Sequence, residues 1–562
     1  MSTNILATTI PGTRLTLKVE PWGPAAEQIR EHQTVLMQDA TVVERLRGKV
    51  YRQLDTRLIF DDNKSGSAPP REPSTYRSYV YNYTDQETLV IEGNLQSQAP
   101  VSIQTTSYQP LPTAEEFNEA VKLILSSNHQ IKAAVMSAQL IVQRPMPPLS
   151  DARQRNGRSE RVVNVGLLSM NDHAPYAILG VNLATGTVEN VPKQFLSRVV
   201  APWQQGAAAL ETARAAGAVI DINQIFIPII PAAGVGQHWF TLSDQNGQVC
   251  WRFLAVRPAN SSGLNGSGLE IRYADYKGKR VLYLGHLPIL NVLYDPPDNT
   301  EFRDWANSES GFDAVGTDLA PGFRMCTAAP TTVFETGNDG SFFGVAAFHE
   351  NADTLTLSTM MQAGWYRYYM AWSFSVDGKL RPRVGFTTNG FNPHQGARHK
   401  HHAYFRLDLD IGTPGNNVIT EDYNRLIFNP FPQFPAIQHV HDVYAFETEV
   451  LRSGFIFGPK WTVSNATSGD TFRLTPGATD GTALGDSFGV SDVWALHYRG
   501  TELDDGVARL THPAKIQLDK YVNHEAIDKQ DVVLWYGVHF VHDPAVAHGE
   551  KNLGPDLAPT HW

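Results

Sequence analysis

The chain has 562 residues, too many for one hydrophobic core, so about two to four domains are expected, with most of the mass in one. A net charge of −11 argues against nucleic acid or an anionic membrane as partner, since neither surface would attract it. The only two cysteines, Cys250 and Cys326, make at most one bridge and exclude a disulfide framework.

The first residues, MSTNILATTIPGTRLTLKVEPWG, lack a basic segment followed by a long apolar run, and no window approaches about 18 apolar residues. A cytoplasmic protein with no membrane partner is therefore expected. Residues 1–108 carry no pattern that assigns them and read as an N-terminal extension. The first helical signal is PTAEEFNEAVKLILSSNHQ from Pro112, with Thr113 as N-cap, Glu116 three residues on, and Phe117, Val121 and Ile124 at helical spacing. IKAAVMSAQLIVQR, then RVVNVGLLSM and YAILGVNLATG after the polar loop SDARQRNGRSE, read as strands. This order suggests small α+β modules before the main domain, followed by the helical stretch PWQQGAAALETARAAGA and the apolar run IFIPIIP.

From about residue 236 onward, short apolar runs alternate with Gly, Pro, Asn and Asp, and 44 Gly and 35 Pro are spread through the chain. The fold class expected is mainly β, with residues 236–562 forming one large C-terminal β-sandwich behind the small α+β domains.

HKHHAYFRLDLD, from His399 to Asp410, concentrates the chemistry. In a strand His399 and His401 share a face while Lys400 and His402 take the other. Two imidazoles so spaced suit copper, zinc, iron or nickel if a third ligand arrives, and DVVLWYGVHFVHDP offers His539 and His542. The alternative is an ordinary strand with exposed histidines beside Lys400 and Arg406. Asp408 and Asp410 share a face by the same parity, as calcium ligands or as a solvated edge.

These residues resemble the copper amine oxidases, whose copper motif runs His-x-His, then Arg-Leu-Asp-x-Asp and an Asn-rich turn, as HKHHAYFRLDLDIGTPGNN does. WYRYYMAWSFSVDGKL is similar to the family's segment around the tyrosine that becomes topaquinone, placing that precursor at Tyr366. FHENAD resembles the family's His-Glu-rich strand before it, VLYDPP its Tyr-Gly-Asp-Pro segment, and DVVLWYGVHFVHDP its third histidine strand, with His542 in register and His539 the alternative. The same register puts Asp531 beside Asp408 and Asp410 as a calcium set. The resemblance covers most of the chain past residue 109 and implies a first small α+β domain at 109–150 and a second at 151–235.

It implies copper at His399, His401 and His542, topaquinone from Tyr366, a homodimer, and oxidative deamination of a small primary amine with O2 to aldehyde, ammonia and hydrogen peroxide. The chain departs from the family around the reacting groups. Trp365 replaces an asparagine, Arg367 an acid and Gln362 a threonine, and Asn307 falls nearest the catalytic aspartate, with Trp305 near the gating aromatic. A neutral amide cannot accept a proton as that base does, so Asp304, Glu309 and Asp313 are the alternatives. Tyr366, Tyr368, Met370, Trp372 and Phe374 also alternate as a plain apolar strand face. Two further expectations follow: a tri-histidine copper enzyme without topaquinone acting on a non-amine substrate, or a non-catalytic copper-binding homologue.

Overall fold

The computed structural model describes residues 6–9, 14–190 and 236–562, except 61–63, 65–69, 98, 146–147, 154–158, 170–176, 264–265, 297–300, 305–308, 365, 389–396, 428–435, 453–456, 507–515 and 544–550. The helical stretch and apolar run expected between Pro202 and Pro231 lie outside the described residues.

The extension is not an appendage. Thr16–Pro21 pairs antiparallel with Gln237–Ser243 and so extends a sheet of the main body. Helices Ala26–Leu36 and Ala40–Leu46 then pack on a four-stranded antiparallel sheet, Tyr51–Ile59, Thr75–Asn82, Glu87–Asn94 and Pro100–Thr106. The second helix starts where the Asp39 carboxylate accepts the orphan amides of Thr41 and Val42. Leu36, Val42, Leu46, Tyr76, Val80, Leu89 and Ile91 form the core of this unit.

The helix Ala114–Ser127 begins at the expected capping box, Thr113 Oγ1 accepting from Glu116 N at 3.2 Å and Glu116 Oε2 from Thr113 N at 3.0 Å. Glu116 is also buried against Arg161, at 2.6 Å and 2.7 Å, so one side chain both starts a helix and ties it to the sheet. The strand expected from Ile131 is corrected in its first half. Asn128 accepts from Gln130 N and Ile131 N and starts a second helix, His129–Met136, before the strand Leu140–Gln143. A cap outweighs a short apolar run whose period is ambiguous. Phe117, Val121 and Ile124 share one core with Val163, Val165, Leu167 and Val181, so the expected boundary at 150/151 runs through a single hydrophobic cluster.

Among the described residues, most of the remainder forms two 11-stranded sheets packed face to face, with Leu6–Thr9 at one margin and Thr16–Pro21 next to it. One carries Lys279–Tyr294, His399–Leu409 and Val532–His542 side by side; the other carries Tyr366–Ser375 next to Leu380–Thr388. Their facing side chains interlock: Phe374 stacks on Phe253 with centroids 3.8 Å apart, and Trp372 meets Phe405 edge-on at 6.4 Å. Gly285 makes room for Trp372, since a Cβ there would lie 2.5 Å from the indole. Cys250 and Cys326 are buried free thiols. Among the described residues no helix is long and apolar enough to cross a membrane.

Candidate metal centre and active site

Strand pairing alone assembles the histidines. His399 stands opposite His542 and His401 opposite Phe540, so His399, His401 and His542 emerge on the face turned toward the second sheet. One nitrogen from each lies within 4.8 Å of the others, close to the spacing of about 3–4 Å for nitrogens bound about 2.1 Å from one ion. His399 and His401 are buried and His542 partly so. The Ala397 carbonyl lies 2.8 Å from His399 Nδ1 and can only accept, which puts the proton on Nδ1 and the lone pair of Nε2 toward the cluster, 2.9 Å from His542 Nδ1. Burial pushes the His401 and His542 imidazoles down, with neighbouring histidines adding to the effect at His401, so both stay neutral ligands. His401 Nε2 is buried with no hydrogen-bond partner among the described residues, an orphan a metal would satisfy. This donor set fits copper.

The tyrosine face of the second sheet closes over it. Tyr366 and Tyr368 sit in the hydrophobic core, as the alternating pattern predicts, yet their hydroxyls reach the histidines. Tyr366 Oη hydrogen-bonds His399 Nε2 and lies 3.2 Å from Tyr294 Oη, while the Tyr294 ring stacks on His399 at 4.6 Å. Phe386 stacks on His401 at 3.8 Å. Tyr368 Oη lies 3.5 Å from His401 Nδ1 and donates to Asp304 Oδ2. Burial and Tyr294 push the Tyr366 phenol well above its usual range, so without a nearby cation it keeps its proton. Burial raises the Asp304 carboxyl to about 7, only partly offset by the Tyr368 hydrogen bond.

The sequence candidates separate cleanly. His539 pairs with His402 on the opposite face, their Nδ1 atoms 2.9 Å apart and flanked by Asp486 and Asp492, so neither joins the three histidines. Asn307 and Trp305 lie outside the described residues. Glu309 is locked in a buried pair with Arg257 at 2.6 Å, and Asp313 is exposed. Asp304 alone of the three alternatives adjoins the tyrosines. Arg367, where the resemblance implies an acid, is buried, pairs with Asp339 at 2.7 Å and donates to the Gly364 and Tyr366 carbonyls at 3.0 Å, fixing the backbone at Tyr366. Tyr294 stood in VLYDPP without an expected role; its position opposite His399 across the sheet pairing gives it one.

Asp408, Asp410 and Asp531 also come together, within 4.8 Å. Their centre holds the ammonium of Lys64, at 2.6 Å, 3.3 Å and 2.6 Å from one oxygen of each. A lone lysine in DDNKSGS gave no signal of this, being 344 residues from Asp408.

Solved structures share this architecture. A copper-containing benzylamine oxidase from Hansenula polymorpha superposes with a TM-score of 0.57 at 14% identity, covering 98% of this chain and 94% of its own. Pichia pastoris lysyl oxidase gives 0.56 at 14%, over 100% and 91%. Aspergillus nidulans amine oxidase gives 0.54 at 14%, over 99% and 90%. No protein-family model matches the sequence, and no curated protein does. The chain has the fold of the copper amine oxidases; at such identity the likeness is one of fold alone.

Proposed function

We propose that the protein is a copper-dependent oxidase whose reaction class is oxidative deamination of a small primary amine with O2, giving aldehyde, ammonia and hydrogen peroxide. The observation that carries this reading is the Tyr366 hydroxyl set against His399 Nε2 inside a three-histidine cluster. When bound, copper at His399, His401 and His542 supplies one-electron chemistry with O2, and topaquinone made from Tyr366 supplies an electrophilic carbonyl for the amine.

The chain's own residues do the rest. Tyr294 orients the Tyr366 hydroxyl, and the Tyr294 and Phe386 rings cover His399 and His401 and keep water from their faces. Asp304 is the base: a carboxyl near 7 is partly ionised at neutral pH, takes a proton from the substrate α-carbon onto its oxygen, and must release it elsewhere before the next turnover. Arg367 and Asp339 hold the strand end from which Tyr366 projects.

Peptide mass analysis of copper-loaded, aerated protein across Met361 to Lys379 is expected to find Tyr366 oxidised, with phenylhydrazine labelling the same peptide. Tyr366→Phe should keep copper and lose the label. An unmodified Tyr366 in copper-replete protein sinks the amine oxidase reading and favours the second one, a copper enzyme acting on a non-amine substrate. That reading draws on Trp365 and Arg367 beside Tyr366, where the resemblance implies an asparagine and an acid.

A homodimer is part of the proposal. The hairpin Asn417–Ile427 with Ala436–Val443 exposes Leu426 at 61% and its cross-strand partner Ile437 at 52%, apolar surface that water does not favour. Light scattering should give twice the chain mass, and Leu426→Asp with Ile437→Asp should shift it to monomer with the metal content unchanged.

A further inference from the structure

We propose that Lys64 is the permanent cation of the aspartate cluster, standing where the resemblance to the copper amine oxidases implies calcium and fastening the N-terminal unit to the strand His399–Leu409. The inference goes beyond the copper reading and does not depend on it. An ammonium has three N–H donors, and three carboxylates each present one oxygen to Lys64 Nζ, at 2.6 Å, 3.3 Å and 2.6 Å. Calcium seeks about six to eight oxygens at about 2.3–2.6 Å, and an ion central to these same oxygens would overlap the nitrogen.

The surroundings suit a lysine. Asp408 and Asp410 are fully enclosed and the Lys64 side chain is 7% exposed. Its ammonium lies 3.5 Å from the Tyr498 ring centroid and 4.8 Å from that of Tyr283, so aromatic faces complete a shell that carboxylates begin. Arg406 approaches Asp408 Oδ2 at 3.3 Å while pairing with Glu502 at 2.7 Å, adding a second fixed positive charge. Lys64 follows the Tyr51–Ile59 strand, so the contact joins the first α+β unit to His399–Leu409.

Full-length protein, stripped with chelator, is titrated calorimetrically with calcium chloride and melted with and without calcium. Wild type should take up no calcium up to about 1 mM, the weak end for calcium modules, and its Tm should ignore both calcium and chelator. Lys64→Ala should lower Tm by about 5 °C or more, because it strands buried carboxylates, and should gain one calcium per chain that restores the loss. Lys64→Arg keeps the charge and should fold and stay indifferent to calcium even if the alanine variant does not fold. One calcium per wild-type chain, calcium uptake by the arginine variant, or an alanine variant that melts with wild type would each overturn the assignment.

Discussion

His542→Ala is expected to leave the protein without stoichiometric copper and without oxygen uptake, whereas His539→Ala keeps its copper. The two histidines are three residues apart on one strand, so they project to opposite faces; only His542 stands across from His399. Removing a direct ligand from a three-nitrogen set should cost more than the roughly 10–100-fold in affinity that loss of an outer-shell partner costs. Metal analysis after dialysis against dilute copper reads the difference directly. Copper retained by the His542 variant and lost from the His539 variant would move the metal to the opposite face, to His402. His539→Ala should show itself in stability instead, because it empties a buried position against His402 and Tyr404.

Asp304→Asn should lower kcat/KM by about 10²–10⁴-fold while copper content and phenylhydrazine labelling stay at wild-type levels. The amide is nearly isosteric and can still pair with Tyr368, so the change removes basicity and little else. The pH profile provides a second check. Burial raises the folded Asp304 carboxyl to about 7, so the base is protonated and idle below that pH and charged above it. Wild-type kcat/KM should therefore climb as pH rises through about 7, and the Asn variant should lose that limb. A variant with wild-type rates, or with the same limb, would shift the base to another residue and return attention to the 305–308 segment.

Much of the three-histidine cluster is legible because parity is a strong constraint. His399 and His401 share a face in any strand, and His542 follows once the two strands pair without a bulge. Asp304 is only one of three alternatives, because FRDWANSESGFDAVG shows no period that fixes its register, although Glu301–Asp304 proves to be a short strand paired with Lys279–Tyr294. What separates it from Glu309 is a partner, Arg257, that no local pattern links to residue 309. Residues 1–108 carry no assignable pattern even though TYRSYVYN and ETLVIEGN form adjacent strands of one sheet; their buried and exposed positions mix too freely for a simple alternation. The helix from His129 was hidden by apolar residues that suit either period, and a single asparagine cap decided it. Lys64 was beyond reach, since contacts across hundreds of residues leave no trace in one sequence.

The ladder from His399↔His542 to Leu409↔Val532 runs through both special sites, with the histidines near one end and Asp408 near the other. A slip of one residue in such a ladder turns every side chain of the slipped strand over. His399 and His401 would then face away from Tyr366, His402 would turn toward it, and Asp408 would leave Lys64. A misregistered chain thus forfeits its metal cluster and its lysine anchor together, at opposite ends of one strand. One register therefore serves both sites: a strand whose Asp408 meets Lys64 also carries His399 and His401 on the face of the histidine cluster.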